Sequence, residues 1–145
     1  MSLQKDLREF IELLNALDVR FVIVGAFAVA YHGYFRYTSD IDLFIDSSLE
    51  NAKRIFRAIG EFGFGDLKLT VEDFTQEDQV IQLGVAPNRI DVMTFLSGVS
   101  FDEVWASREQ AELDGVSVSY ISREMLKRNK KACGRNQDLA DLEYL

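Results

Sequence analysis

Two stretches decide the fold: Phe21-Val22-Ile23-Val24-Gly25-Ala26 and, further along, Asp40-Ile41-Asp42-Leu43-Phe44-Ile45. The first is an unbroken β-branched and aromatic run stopped by a glycine, the pattern of a strand covered on both faces. Ala26 to His32 then makes a short helix ended by Gly33, and Tyr34 to Ser39 reads as a loop. The second stretch alternates at its start, which predicts a strand with Asp40 and Asp42 on one face. Two carboxylates held side by side repel each other unless something cationic sits between them. An Asp-x-Asp pair also occurs on ordinary solvated strand edges, so the pair by itself leaves both readings open.

Working outward, Leu3, Leu7, Phe10, Leu14 and Leu17 share one stripe, and Lys5, Asp6, Arg8, Glu9 and Glu12 fall mostly elsewhere. That predicts an amphipathic first helix over Leu3 to Leu17. Beyond the aspartates, Ser47 and Glu50 have capping-box spacing for a helix to about Phe62, with Ala52, Ile55, Phe56 and Ile59 inward. Gly63 and Gly65 break that pattern. Leu67 to Val71, Val80 to Val85 and Arg89 to Phe95 read as strands, the last two joined by a hairpin at Pro87 and Asn88. The final third predicts helix over Phe101 to Arg108, a short β segment at Val116 to Tyr120, and helices over Ser122 to Cys133 and Asn136 to Leu145. Neither an internal repeat nor a linker is visible, so residues 1–145 read as one domain.

The 145 residues include 16 Lys and Arg against 24 Asp and Glu, a formal charge of −8, with an isoelectric point near 4.6. That balance argues against a general nucleic-acid coat, which needs clustered cations to displace counterions. The acidity is uneven. Arg123 to Arg135 holds six basic residues and one acidic, a local +5 that leaves −13 for the remainder. At helical spacing Arg123, Lys127, Lys130 or Lys131, and Arg135 share a face that either meets phosphates or is simply solvated. The longest mostly apolar stretch, Phe21 to Tyr31, is well short of the roughly 20 residues a spanning helix needs, so no membrane segment is expected. Met1 to Asp6 carries no secretory signal pattern, and one cysteine, Cys133, excludes an intrachain disulfide and reads as a small buried residue; both fit a reducing cytoplasm. The oligomeric state stays open.

Asp91 lies in Arg89-Ile90-Asp91-Val92-Met93, with Ile90 and Val92 facing the core on the other side. If that strand lies beside the Asp40 strand, three carboxylates meet. Such a set is the hard-oxygen environment Mg²⁺ prefers, with water and substrate phosphates completing the coordination. Just upstream, the strand ending at Gly25-Ala26 opens a helix where backbone N–H groups can receive phosphate oxygens. Arg36 and Thr38 supply a guanidinium and a hydroxyl close by, for phosphate or to balance Asp40 and Asp42. His32 reads as a locally packed or hydrogen-bonded histidine. Asp138 and Asp141 read as local charge partners of Arg135 at a helix start.

Taken together, a strand ending in glycine, a helix, then Asp-x-Asp resembles the DNA polymerase beta-like nucleotidyltransferase superfamily. The parts here are Gly25-Ala26 and Asp40-Ile41-Asp42. Within it, the chain more closely resembles a group of small bacterial nucleotidyltransferase-like proteins, through His32, Gly33, Arg36 and Thr38 before the aspartates, Arg89-Ile90-Asp91, and Gly134-Arg135-Asn136-Gln137-Asp138. It spans Phe21 to Leu145.

That resemblance implies a nucleotidyltransferase fold of mixed α/β (α+β) class, a short mixed β-sheet flanked by helices, with C-terminal helices beside the cleft. It implies Mg²⁺-dependent transfer of a nucleoside monophosphate from an NTP to an acceptor hydroxyl. Carried over, Asp40, Asp42 and Asp91 are the catalytic metal ligands; with the cationic, hydroxyl and backbone positions read above, Gly25, Ala26, Arg36, Thr38, Lys131 and Arg135 are the phosphate-binding candidates. The acceptor is a small molecule, an RNA end or a protein. Ala26 departs from the Gly or Ser expected second in the glycine motif, and its methyl group can crowd a phosphate. The alternative is therefore a catalytically inactive binding module on the same scaffold, of the kind found in toxin–antitoxin-type systems.

Overall fold

In the structure, a computed structural model that describes residues 5–35, 38, 40–63, 68–84 and 89–145, the apolar run Phe21–Val24 is strand β1, buried on both faces. The other strands are β2 (Ile41–Ile45), β3 (Val80–Leu83), β4 (Ile90–Met93), β5 (Glu109–Leu113) and β6 (Val116–Tyr120). The helices are α1 (Lys5–Ala16), α2 (Gly25–Tyr31), α3 (Leu49–Phe62), α4 (Phe101–Ser107), α5 (Arg123–Cys133) and α6 (Asn136–Leu142). Among the described residues the strands form one mixed sheet in the order β3-β4-β2-β1-β6-β5. β1 runs antiparallel to β2 and parallel to β6, while β2 and β4 are parallel. The class is therefore the mixed α/β one expected. No helix among the described residues is long and apolar enough to cross a membrane.

Strand alternation divides the sheet into two faces. On one, Leu43, Ile45 and Val92 pack with Phe10 and Leu14 of α1 and Ile55 of α3. On the other, Phe44 meets Phe101 of α4 edge to face at 5.3 Å, and Asp42 and Asp91 share that side by parity. Because β1 ends where β2 and β4 begin, one end of the sheet collects Gly25, Asp42 and Asp91. β6 ends there too, and Ile121 donates its N–H to Ile23 at 3.0 Å, so α5 starts at the same end. His32 ties α2 to this junction through a 2.8 Å contact between Nε2 and the Ile121 carbonyl. Arg123 donates to the His32 carbonyl at 2.6 Å. His32 is thus the local packing residue expected.

Several boundaries differ from the sequence reading for identifiable reasons. The N-cap of α3 is Ser48, whose hydroxyl accepts from Asn51, and not Ser47. Asp46 takes the Ser48 N–H. The strand expected over Leu67–Val71 is absent where described: residues 68–70 are irregular and Val71–Phe74 is a 3₁₀ turn. There the Asp73 carboxylate accepts the Thr70 N–H at 2.7 Å, a local bond that competes with sheet pairing. β4 stops at Met93 rather than Phe95, and α6 stops at Leu142. β5 is an addition, paired with β6 through Asp114 and Gly115, both at positive φ (52° and 80°), the two-residue turn that matches strand twist. Leu3, Leu67, Val85 and the hairpin residues Pro87 and Asn88 lie outside the described residues.

One buried side chain holds the base of α3 to the sheet. Asn51, 2 % exposed, accepts from the Arg20 N–H at 2.8 Å and donates to the carbonyls of Arg20 (3.1 Å) and Asp46 (2.7 Å). Asn51→Ala leaves the Arg20 N–H without this partner, at a cost of about 2–3 kcal/mol. Urea unfolding measures it, and a loss below about 0.5 kcal/mol would refute this role.

Candidate functional site

Parallel pairing of β2 with β4 puts Asp42 directly opposite Asp91, and antiparallel pairing of β1 puts Val24 opposite Asp42. The two carboxylates are thus neighbours across adjacent strands, beside the end of β1. The next residue, Gly25, explains why the strand stops as it does. Its φ is +66°, and a Cβ there would overlap the Asp42 carboxylate. Glycine is required twice over, by backbone conformation and by the space the aspartate takes.

The acids line one side of a cleft of about 550 Å³. Its rim includes Val24 and Gly25, its other side the segment Met93–Ser97 and the α5 residues Asn129, Lys130, Ala132 and Cys133, with Arg135 following. Asp91 is 9 % exposed and accepts two bonds from Arg89, Nε to Oδ1 at 3.0 Å and Nη2 to Oδ2 at 3.1 Å. Burial pushes the Asp42 pKa up to about 6, and the charges of Asp91 and then Asp40 push the same way, against smaller opposing effects of Lys130 and Arg89. Asp42 is therefore held in a place that resists its charge. Such a site favours a cation.

Asp40 lies one residue before β2. The Thr38 hydroxyl accepts from its N–H and donates to its carbonyl, both at 3.2 Å. Thr38 is thus engaged with the backbone that presents Asp40. Ala26 is half-buried in the first turn of α2 and is not among the cleft-lining residues, so its methyl group does not fill the cleft. Arg36 lies outside the described residues. Lys131 is exposed and does not line the cleft, whereas Arg135 does. Cys133 is half-buried in the cleft wall rather than in the core, and accepts from Asn129 at 3.6 Å.

Lys130 is the cation that sequence spacing left undistinguished from Lys131. It is 5 % exposed, and Nζ lies 3.2 Å from both Asp138 Oδ1 and Asp141 Oδ2. Arg135 caps α6 by donating its N–H to Asp138 and adds guanidinium bonds at 2.7 and 3.3 Å. Burial raises the Asp138 pKa, but bonds from Arg135 and Lys130 outweigh it and hold the group below the ordinary range. The expected pairing of Arg135 with Asp138 is present; the buried lysine between the two acids is new. The signal for it is the pair Asp138 and Asp141, three apart on one helical face that also carries Leu142, so that the acids point the same way as an apolar residue.

Among the described residues no three His, Cys, Asp or Glu side chains close on a common point as a ready-made metal cage. Asp91 is turned onto Arg89 instead. Sites that bind Mg²⁺ with substrate phosphates use one or two carboxylates plus phosphate and water, so the donor set here is of the right chemistry.

A family profile described as "Nucleotidyl transferase of unknown function (DUF2204)" matches residues 3–145. Among solved structures, the chain is similar to a "putative nucleotidyltransferase" from Thermotoga maritima, with a TM-score of 0.63 and 19% identity, covering 94% of this chain and 88% of that one. It is also similar to an antigenic nucleotidyltransferase-like protein from Paracoccidioides brasiliensis, with a TM-score of 0.55 and 14% identity, over 99% and 76% of the two chains. At such identities the likeness is one of fold. No curated protein sequence matches significantly.

The charge crowding has a measurable consequence. An acid whose folded-state pKa is raised supports the fold in full below its unfolded value, here 3.8, and withdraws that support as pH rises through about 6. Asp42→Asn therefore stabilises the metal-free protein at pH ~8 by about 1–3 kcal/mol, and the gain vanishes below pH ~4. Chemical unfolding at the two pH values checks this; an asparagine variant less stable than wild type at the higher pH contradicts it.

Proposed function

The chain belongs to that nucleotidyl transferase family, and on this premise we propose that it transfers a nucleoside monophosphate from an NTP to an acceptor hydroxyl, with Mg²⁺ and release of pyrophosphate. The observation that carries the reading is the register of Asp42 against Asp91 in one cleft, with Asp40 two residues upstream.

Asp40 and Asp42 are the residues that would hold the cations, with Asp91 as the third ligand. Bound Mg²⁺ supplies positive charge against the triphosphate and against the charge that develops on the leaving pyrophosphate. The chain's own groups do the rest. The acceptor oxygen attacks the α-phosphorus, the bond from that phosphorus to the bridging oxygen of the β-phosphate breaks, and the hydroxyl proton passes to Asp91. Arg89, already bonded to Asp91, and Lys130 and Arg135 on the opposite side bring fixed positive charge to a cleft that must take a polyanion. Gly25, lacking a side chain, lets backbone and substrate approach beside Asp42. The acceptor class remains a small hydroxyl compound, an RNA end or a protein side chain.

Calorimetry with NTP in the presence and absence of Mg²⁺, followed by incubation with α-labelled NTP and acceptors of each class, tests the reading. The expected result is Mg²⁺-dependent binding, and label transfer that falls at least about 100-fold in Asp42→Asn and Asp91→Asn, the loss of a group acting on charge in the transition state. Binding without transfer to any acceptor supports the inactive binding module instead. Absence of Mg²⁺-dependent binding refutes the transferase reading.

A further inference from the structure

The cleft has two chemically different sides. Besides the acids, the cleft is lined by apolar groups: Met93 at the end of β4, Phe95 and Leu96 after it, and Ala132 and Cys133 of α5. Phe95 is the aromatic side chain among the described cleft-lining residues, and it is 51 % exposed.

Its backbone is nevertheless held on both sides. Thr94 exchanges bonds with Gln79, N–H to carbonyl and hydroxyl from N–H, both at 3.0 Å. Leu96 bridges to Val99, and Asn129 donates to the Ser97 carbonyl at 3.0 Å. Gly98 seats this turn against α5 so closely that a Cβ would fall 2.7 Å from the Ala132 methyl. The ring is thus presented into the cleft by a fixed segment.

Asp91 lies on β4 and Phe95 follows the end of that strand, and both line the cleft. A nucleotide whose phosphates meet the acids has its base within the same cleft. The Asn129 amide nitrogen beside the wall is already engaged with Ser97 and Cys133. An aromatic face holds a base by stacking and reads little of its identity, because every base has a π-face.

Resting on the nucleotidyl-transfer reading of the acids, we propose that Phe95 is the platform on which the nucleobase of the NTP stacks, and that the site accepts all four bases. Its test is the dissociation constant, with Mg²⁺, of ATP, GTP, CTP, UTP and inorganic tripolyphosphate, for wild type, Phe95→Ala and Phe95→Tyr. The four NTPs should bind within about tenfold of one another and more tightly than tripolyphosphate. Phe95→Ala should weaken every NTP about tenfold and leave tripolyphosphate unchanged, and Phe95→Tyr should restore NTP binding. The proposal is overturned if Phe95→Ala binds NTPs like wild type, if tripolyphosphate weakens equally, or if one NTP is preferred by about a hundredfold. A wild type that binds neither NTP nor tripolyphosphate overturns the reading of the acids, and this inference with it; NTP binding indifferent to Phe95 overturns this inference alone.

Discussion

Two like charges set opposite each other on neighbouring strands govern the arrangement of this protein. Asp42 and Asp91 can be neighbours only because β2 and β4 are parallel and in that register. Parallel neighbours need a crossover, here made by α3, the 3₁₀ turn and β3. The space for the Asp42 carboxylate exists because β1 ends in a glycine at positive φ. A fold selected for stability alone would place an apolar pair there, as the rest of β1, β2 and β4 does with Ile23, Leu43 and Val92. The cost is local, and strain of this kind collects at functional sites, in keeping with the cation site proposed.

Much of this was legible in the sequence because the decisive signals are local. The unbroken Phe21–Val24 run, the glycine after it and the alternation at Asp40-Ile41-Asp42 each follow from short-range periodicity, and the acids were found through them. What was not legible depended on long-range choice. Lys130 and Lys131 are equivalent in a helical pattern, and only the docking of α6 buries the first between Asp138 and Asp141. The hydroxyl of Thr38 suited a phosphate as well as the Asp40 backbone it engages. β5 was missed although Asp114-Gly115 is a strong hairpin signal, because Glu109-Gln110-Ala111-Glu112 has too little β-branched character to read as a strand.

The chain's charge of −8 conceals this organisation. Its basic segment is not one solvated face: Arg123 binds the end of α2, Arg128 pairs with Glu103 at 2.7 Å, and Lys130 is buried. Of these, Lys130 lines the cleft that Asp42 and Asp91 also line. An arrangement of this kind holds its counter-charges by their own carboxylates rather than by the site acids alone, before any polyanion arrives.

The central claim is that the paired carboxylates form a cation site. Its most direct test is the melting temperature of the protein at pH ~8 as Mn²⁺ is titrated, since a ligand that binds only the folded state stabilises it saturably. The account predicts a saturable rise in wild type that is lost in the Asp42→Asn, Asp91→Asn double variant. No rise in wild type, or an equal rise in the double variant, would contradict it.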